Sequence, residues 1–273
     1  MLSEIIVGID FSTTSEKALR LAVDIANRTS SNILMVWVEV AEYTREKVKA
    51  KFDSLIAECT PSLNGKQISY LMVEGKVSAA LNEVVLKRDA SLLVIGTHGK
   101  SGFDETFAGA NAYKTVAGCS VPVLTIRETF DFGKALEKII LPIDSSVDTR
   151  QKVPWTIEFA KMFPKAEIFV LGLFSFKAKE LKAIVKGYVE SVEKLLHNKN
   201  MKCSVEYRDS DNSTITTINF ANEIGADMIV IMKEQEKTFA NMIYLGPYAL
   251  QMINQSPFPV LTVPSKQINN EER

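Results

Sequence analysis

Gly96-Thr97-His98-Gly99-Lys100-Ser101-Gly102, followed by Gly109-Ala110-Asn111, is the part of this 273-residue chain best suited to chemistry. Glycines let the backbone approach a ligand and turn successive amide N–H groups toward an anion. The second group stands where a helix is expected to begin, and a helix amino terminus adds partial positive charge. The arrangement suits a nucleotide phosphate. A second candidate is Asp10, a carboxylate that closes the apolar run Ile5-Ile6-Val7-Gly8-Ile9. Alone, Asp10 would read as a turn or capping residue, because Ser12, Thr13 and Thr14 follow it; the glycine loop is what favours a binding role. Gly99-Lys100-Ser101 is similar to the end of a P-loop, but the glycine such a loop needs five residues before Gly99 is Val94. No base and nucleophile set is legible. His98 and His197 are the two histidines, and Cys59, Cys119 and Cys203 are odd in number and widely spaced, which supports neither a disulfide framework nor a zinc site. His98 is read as a loop residue near the phosphates.

These residues need a frame, and the chain spells one out twice. Ile5-Ile6-Val7-Gly8-Ile9-Asp10-Phe11-Ser12 returns as Ile139-Ile140-Leu141-Pro142-Ile143-Asp144-Ser145-Ser146, and Val121-Pro122-Val123-Leu124-Thr125-Ile126 returns as Phe258-Pro259-Val260-Leu261-Thr262-Val263. At about 100 to 200 residues per domain the length suits two units, placed at 1–130 and 137–265 with Glu128 to Leu136 as linker. In the first copy, strands are expected at Ile5 to Ile9, Ile33 to Val38, Gln67 to Val73, Leu92 to Ile95 and Val121 to Ile126. Helical stripes alternate with them. Val48, Phe52, Leu55, Ile56 and Cys59 form one, and Val77, Leu81, Val84, Val85 and Arg88 repeat its spacing, with the last position polar where the helix should end. In the second copy Leu181, Ile184, Val185, Tyr188, Val192, Leu195 and Leu196 give a longer stripe. Strands joined by crossover helices imply parallel pairing, so the fold class is α/β: two tandem, doubly wound, Rossmann-like domains with five-stranded parallel sheets. In such sheets ligands bind beyond the carboxyl ends of strands where the strand order reverses, which is where Asp10 and the glycine loop fall.

Lysine plus arginine number 32 against 33 for aspartate plus glutamate, a net charge of −1, so neither nucleic acid nor anionic lipid is an expected partner. With 46% hydrophobic and 24% charged residues, no apolar stretch near the roughly 18 needed to span a bilayer and no leader pattern at Met1, the chain reads as soluble, unprocessed and cytoplasmic. Trp37, Tyr43 and Trp155 read as packing residues, and Lys233, Glu234, Glu236 and Lys237 as a solvated loop.

The glycine spacing resembles that of the universal stress protein family, whose nucleotide-binding members carry Gly-x2-Gly-x9-Gly followed by Ser or Thr. Here the matching glycines are Gly96, Gly99 and Gly109. With the strand ending in Asp10, the Gly75 turn and the terminal Val-Pro-Val-Leu strand, the resemblance extends over nearly the whole chain as two copies. It implies an adenine nucleotide, ATP, ADP or AMP, with Mg2+ as its companion. Asp10 would face the adenine or ribose, the backbone near Val38 would contact the base, and Gly96, Gly99 and Gly109, with Thr97, His98, Ala110 and Asn111 around them, would cradle the phosphates. It also implies a regulatory binding protein, not an enzyme, that answers to a protein partner. A nucleotide-independent interaction module is the second reading, and a slow ATP hydrolase or nucleotidyl transferase the third.

The chain departs from the family pattern in two places. Ala110 stands where a hydroxyl would meet phosphate, an interaction worth on the order of 1.5 to 3 kcal/mol. In the second copy Asp144 is kept, but Met232 and Gln235 replace the first two glycines and Gly246-Pro247 opens the last helix, so that site is expected to be closed to nucleotide. Finally, Val121 to Ile126 and Phe258 to Val263 each carry Pro at the second residue, which an edge strand tolerates best. An apolar edge must be covered. The two copies are therefore expected to pair through these strands as an intrachain pseudo-dimer, as the family's subunits do between chains, leaving open a further homodimer.

Overall fold

The computed structural model describes residues 2–39, 43–97, 110–130, 135–175, 179–233, 235–237 and 243–265. The first half runs β1 (Glu4–Gly8), α1 (Thr13–Thr29), β2 (Asn32–Val38), α2 (Arg45–Cys59), β3 (Ile68–Val73), α3 (Val77–Lys87), β4 (Leu92–Gly96), α4 (Ala110–Gly118) and β5 (Val123–Ile126). The second half repeats it as β6 (Lys138–Ile143), α5 (Val153–Lys161), β7 (Glu167–Ser175), α6 (Lys182–Asn198), β8 (Lys202–Ser210), α7 (Ser213–Ile224) and β9 (Met228–Lys233). A short antiparallel hairpin, β10 (Gln235–Lys237) with β11 (Ile243–Leu245), then precedes α8 (Pro247–Gln255) and β12 (Val260–Pro264).

The strands are apolar at successive positions because both faces of the sheet are covered: Ile5, Ile6 and Val7 of β1 are all fully buried. Helices start at side-chain caps. Ser12 accepts the Ser15 N–H at 3.2 Å for α1, and Asn212 accepts the Ile215 N–H at 3.1 Å for α7. Pro at the first turn of α8, with Gly246 before it, opens that helix as the sequence implied. In α2 the expected stripe is the buried one, through Val48, Phe52, Leu55 and Cys59. In α6 the stripe is rotated: Val185, Val189, Val192 and Leu196 are buried, while Ile184 and Leu195 are exposed. Apolar residues cover more than one face of α6, and the sheet takes the face whose i, i+4, i+7, i+11 series is unbroken.

All ten long strands join one sheet in the order β3-β2-β1-β4-β5-β12-β9-β6-β7-β8, with the halves meeting at β5 and β12. Within each half pairing is parallel; across the join it is antiparallel, Thr125 opposite Val260, Leu124 opposite Leu261 and Val123 opposite Thr262. Leu124 and Leu261 are equivalent residues of the two copies, so a pseudo-two-fold axis passes between them. Pro122 and Pro259 lie just ahead of these strands. One apolar core, under α1, α2, α5 and α6, and another, under α3, α4, α7 and α8, each run through both halves. Trp37 is buried, and Tyr43 and Trp155 pack against the first of these cores. Among the described residues no helix is long and apolar enough to cross a membrane.

The structure corrects the solvated reading at Lys233 and the loop reading at Glu236 and Lys237, while Glu234 lies outside the described residues. Lys233 is the last residue of β9, 4% exposed, and Gln235 to Lys237 form β10. Burial holds the Lys233 ammonium below the usual lysine pKa. Its compensation is hydrogen bonding: Lys233 Nζ donates to the carbonyls of Cys119 at 2.6 Å and Ala117 at 3.1 Å, both in the other half.

Candidate functional site

In the first half the strand order reverses between β1 and β4, and the crevice beyond their carboxyl ends is bounded by Asp10, Gly96 and Thr97. Asp10 is half-buried, and its Oδ1 accepts the Ser12 N–H at 3.0 Å. Phe11, between them, takes a left-handed φ of 58°, which turns the chain sharply from β1 into α1. Asp10 thus carries the turn and Ser12 the helix cap.

Val38 enters through its backbone. Along β2 the even-numbered groups point to β1: Ile9 N–H bonds the Val36 carbonyl at 2.9 Å, whereas Glu39 N–H turns the other way to Val73 at 2.8 Å. By the period of two the Val38 groups face the β1 side of β2 and not β3. On its rim Lys51 Nζ lies 4.8 Å over the Phe11 ring and 4.9 Å over Tyr43, and Arg45 bridges Glu39 and Glu74.

Gly96 has a packing reason as well as any binding one. A Cβ there would lie 2.7 Å from Thr14 Cγ2 and 3.3 Å from the Thr14 backbone carbon, so the first turn of α1 rests directly on the end of β4. Gly96→Ala is expected to cost about 1–3 kcal/mol through overpacking, read as a fall in Tm. Thr14→Ser, which removes the methyl, should recover part of the loss, and an unchanged melt of Gly96→Ala would refute the contact.

Thr97 is buried and gives both its N–H, at 2.9 Å, and its hydroxyl, at 3.3 Å, to the Ile126 carbonyl, which ties the start of the loop to β5. His98, Gly99 and Gly109 lie outside the described residues. Ala110 opens α4, and Asn111 is exposed in its first turn.

The second crevice keeps the carboxylate and differs in what surrounds it. Asp144 Oδ1 accepts the Ser146 N–H at 2.8 Å and its hydroxyl at 2.5 Å, the same turn as at Asp10. Met232, buried, stands where the first copy has Gly96, and the segment corresponding to the first turn of α1 is instead a 3-10 turn at Val147–Arg150 packed beside β9. The regular helix begins only at Val153, six positions late by the repeat. Pro142, in place of Gly8, has no N–H, and pairing between β6 and β9 ends at Ile140 with Ile229, whereas β1 and β4 pair as far as Val7 with Val94. Lys152 fills the position of Ala18; it is 3% exposed, and its Nζ donates to the Thr149 carbonyl at 2.6 Å. Aligning the two copies finds Lys152, because an inward helix position changes there from alanine to lysine.

On the outer edge of the second half, His197 Nε2 lies 3.9 Å from Cys203 Sγ and 3.8 Å from Glu193. Burial and the carboxylates of Glu193 and Glu167 raise the Cys203 thiol, the opposite of an activated nucleophile. Among the described residues no group of three or more His, Cys, Asp or Glu side chains could hold a metal ion.

Comparison with known proteins gives one consistent result. The model of the universal stress protein family matches twice, at residues 1–127 and 135–264. A universal stress protein of Mycolicibacterium smegmatis is 30% identical over 135 residues, which are 45% of this chain and 45% of that protein, so the match spans under half of that relative. Universal stress protein MJ0531 of Methanocaldococcus jannaschii is 23% identical over 143 residues, 47% of this chain and 84% of its own. A universal stress protein structure from Archaeoglobus fulgidus superposes with a TM-score of 0.73 at 14% identity, covering 97% of both chains, which shows the shared fold.

Proposed function

Because the chain belongs to the universal stress protein family, we propose that its first half binds one adenine nucleotide and that binding, without chemistry, is the function. The observation that carries this is the asymmetry of the two crevices. The first has Asp10, the Val38 backbone and Gly96 at the strand reversal, whereas the second has Met232 in place of Gly96 and a regular helix that starts only at Val153. The adenine would lie against Val38, the ribose hydroxyls against Asp10, and the phosphates against the Gly96, Gly99 and Gly109 loop with Thr97, His98, Ala110 and Asn111. Mg2+ would enter only as the companion of a triphosphate, held by its oxygens. Ligand would favour one conformation of the crevice and so present a changed surface to a protein partner in the cytoplasm, to the extent of its differential affinity for that conformation. Mass spectrometry of small molecules released from the denatured, freshly purified protein tests the reading. An adenine nucleotide is the expected finding, and its absence together with no heat of binding for ATP, ADP or AMP would sink it.

Ala110 favours a second reading, a module of the same fold that works without nucleotide. A gain from one substitution would favour the nucleotide reading. Ala110→Ser should tighten ATP by up to about tenfold, roughly 1.4 kcal/mol, and leave adenosine little changed. No gain selective for phosphorylated ligands would mean that other groups already satisfy the phosphates, or that none bind there.

A further inference from the structure

We infer that Lys233 of the second half is a positioning residue for the first half's phosphate site: it clamps the carboxyl end of α4, the helix whose amino end follows the glycine loop, and so couples nucleotide binding to the β10–β11 hairpin. The inference rests on the nucleotide reading above.

The geometry is specific. Lys233 leaves the end of β9, crosses the join between the halves and donates to the Ala117 and Cys119 carbonyls, which no longer have partners within the helix. A cation at this end also complements the helix dipole. By the repeat, Lys233 occupies the position of Thr97, so the worn second loop has turned its first residue from the tether of its own loop into a hold on the other half's helix. The opposite helix is held likewise. Arg127, at the end of β5, donates from Nη1 to the Asn254 carbonyl of α8 at 2.6 Å, and Asn254 is the counterpart of Ala117. Two residues from non-equivalent positions thus meet equivalent carbonyls, which marks these helix ends as points where the assembled sheet requires a cation from across the join.

Two further contacts make α4 a transmitting element. Its last residue, Gly118, packs on α3 so closely that a Cβ would fall 2.5 Å from Asn82 Nδ2 and the amide would have to shift. Strand β11 runs beside α4 in the other half's hairpin. A helix held at one end by Lys233 and packed on both flanks moves as a unit, so ordering of its amino end by phosphate is felt at β11, and by linkage the clamp acts back on affinity.

The test combines hydrogen exchange with calorimetry on the whole chain. In wild-type protein, saturating ATP should slow amide exchange in α4 and also in Gln235–Lys237 and Ile243–Leu245. Protection confined to the first half would overturn the coupling. Lys233→Met, without ligand, should speed exchange at Val116 to Cys119 and weaken ATP by up to about tenfold, the ceiling set if the whole hydrogen-bond energy were coupled to binding. Arg127→Met should loosen α8 and leave ATP affinity in place. Unchanged α4 exchange in Lys233→Met removes the clamp, and faster exchange with undiminished affinity removes the positioning role. If Lys233→Met does not fold, the wild-type exchange pattern still decides. If wild-type protein binds no nucleotide, the reading under Proposed function falls, while α4 exchange in Lys233→Met against wild type still decides the clamp.

Discussion

Titration of the chain with adenine nucleotide should give one site per molecule, and Asp10→Ala should abolish or strongly weaken it while Asp144→Ala leaves it intact. Each carboxylate supports the same turn, through the Ser12 N–H in one half and the Ser146 N–H in the other, and Asp144→Ala also loses the Ser146 hydroxyl, so the local cost is at least as large where no effect on binding is expected. They differ in what lies beyond the turn. At Asp10 the crevice is bounded by Gly96 and the Val38 backbone; at Asp144 it is bounded by Met232 and the 3-10 turn. Removing a charged acceptor from a ribose hydroxyl costs on the order of 1.5 to 3 kcal/mol, or roughly 10- to 150-fold in affinity. Asp10→Asn sharpens the result, because an amide oxygen can still accept the Ser12 N–H while the charge is gone; an affinity near that of Asp10→Ala assigns the loss to ligand contact and not to the turn. Equal sensitivity to Asp10→Ala and Asp144→Ala would end the asymmetric reading.

The repeat made the fold legible. Once Asp10 and Asp144, and Pro122 and Pro259, are seen to recur in order, the alternation of apolar runs and helical stripes fixes five parallel strands per half; β5 and β12 do meet, although the prolines expected inside them lie just ahead of both strands. The frame of the candidate crevice was legible for the same reason, since Asp10, Val38 and Gly96 fall at strand ends that any such winding brings together. What the sequence hid were relations across the join. Lys233 sits in a run of charges, and a local pattern cannot distinguish a solvated lysine from one whose carbonyl partners lie more than 110 residues away. Gly96 was read for its freedom to approach a ligand, yet its nearest constraint is the methyl of Thr14, a contact set by how α1 docks. The rotation of the α6 stripe has a similar origin: with apolar residues on more than one face, tertiary contact chooses which face is buried.

The isolated first half, residues 1 to 130, should form a homodimer, because the edge of β5 that β12 covers in the whole chain has a ready substitute in a second β5. Leu124 pairs with Leu261 on the pseudo-axis, so in a homodimer Leu124 would face its own copy, with Val123 opposite Thr125 on either side, as Val260 faces Thr125 in the intact protein. The Thr125 hydroxyl, which donates to the Val260 carbonyl at 3.2 Å, would find the Val123 carbonyl at the equivalent place. Arg127 could likewise meet the Ala117 carbonyl of the other copy, the counterpart of its present partner Asn254. Leaving β5 bare would uncover part of Leu124 and Ile126, both fully buried in the whole chain, at a cost of at most about 1.5–3 kcal/mol for each side chain. That is enough to drive association at micromolar concentration once the backbone bonds of the edge are added. Replacing Leu124 and Ile126 with Lys puts two cations on the strand and, across a two-fold axis, sets like charge against like charge; sedimentation should then report a monomer. A wild-type fragment that stays monomeric at high concentration would show that β5 and β12 are joined by contacts elsewhere along the chain, such as Lys233 on α4, and not by the self-complementarity of the strand.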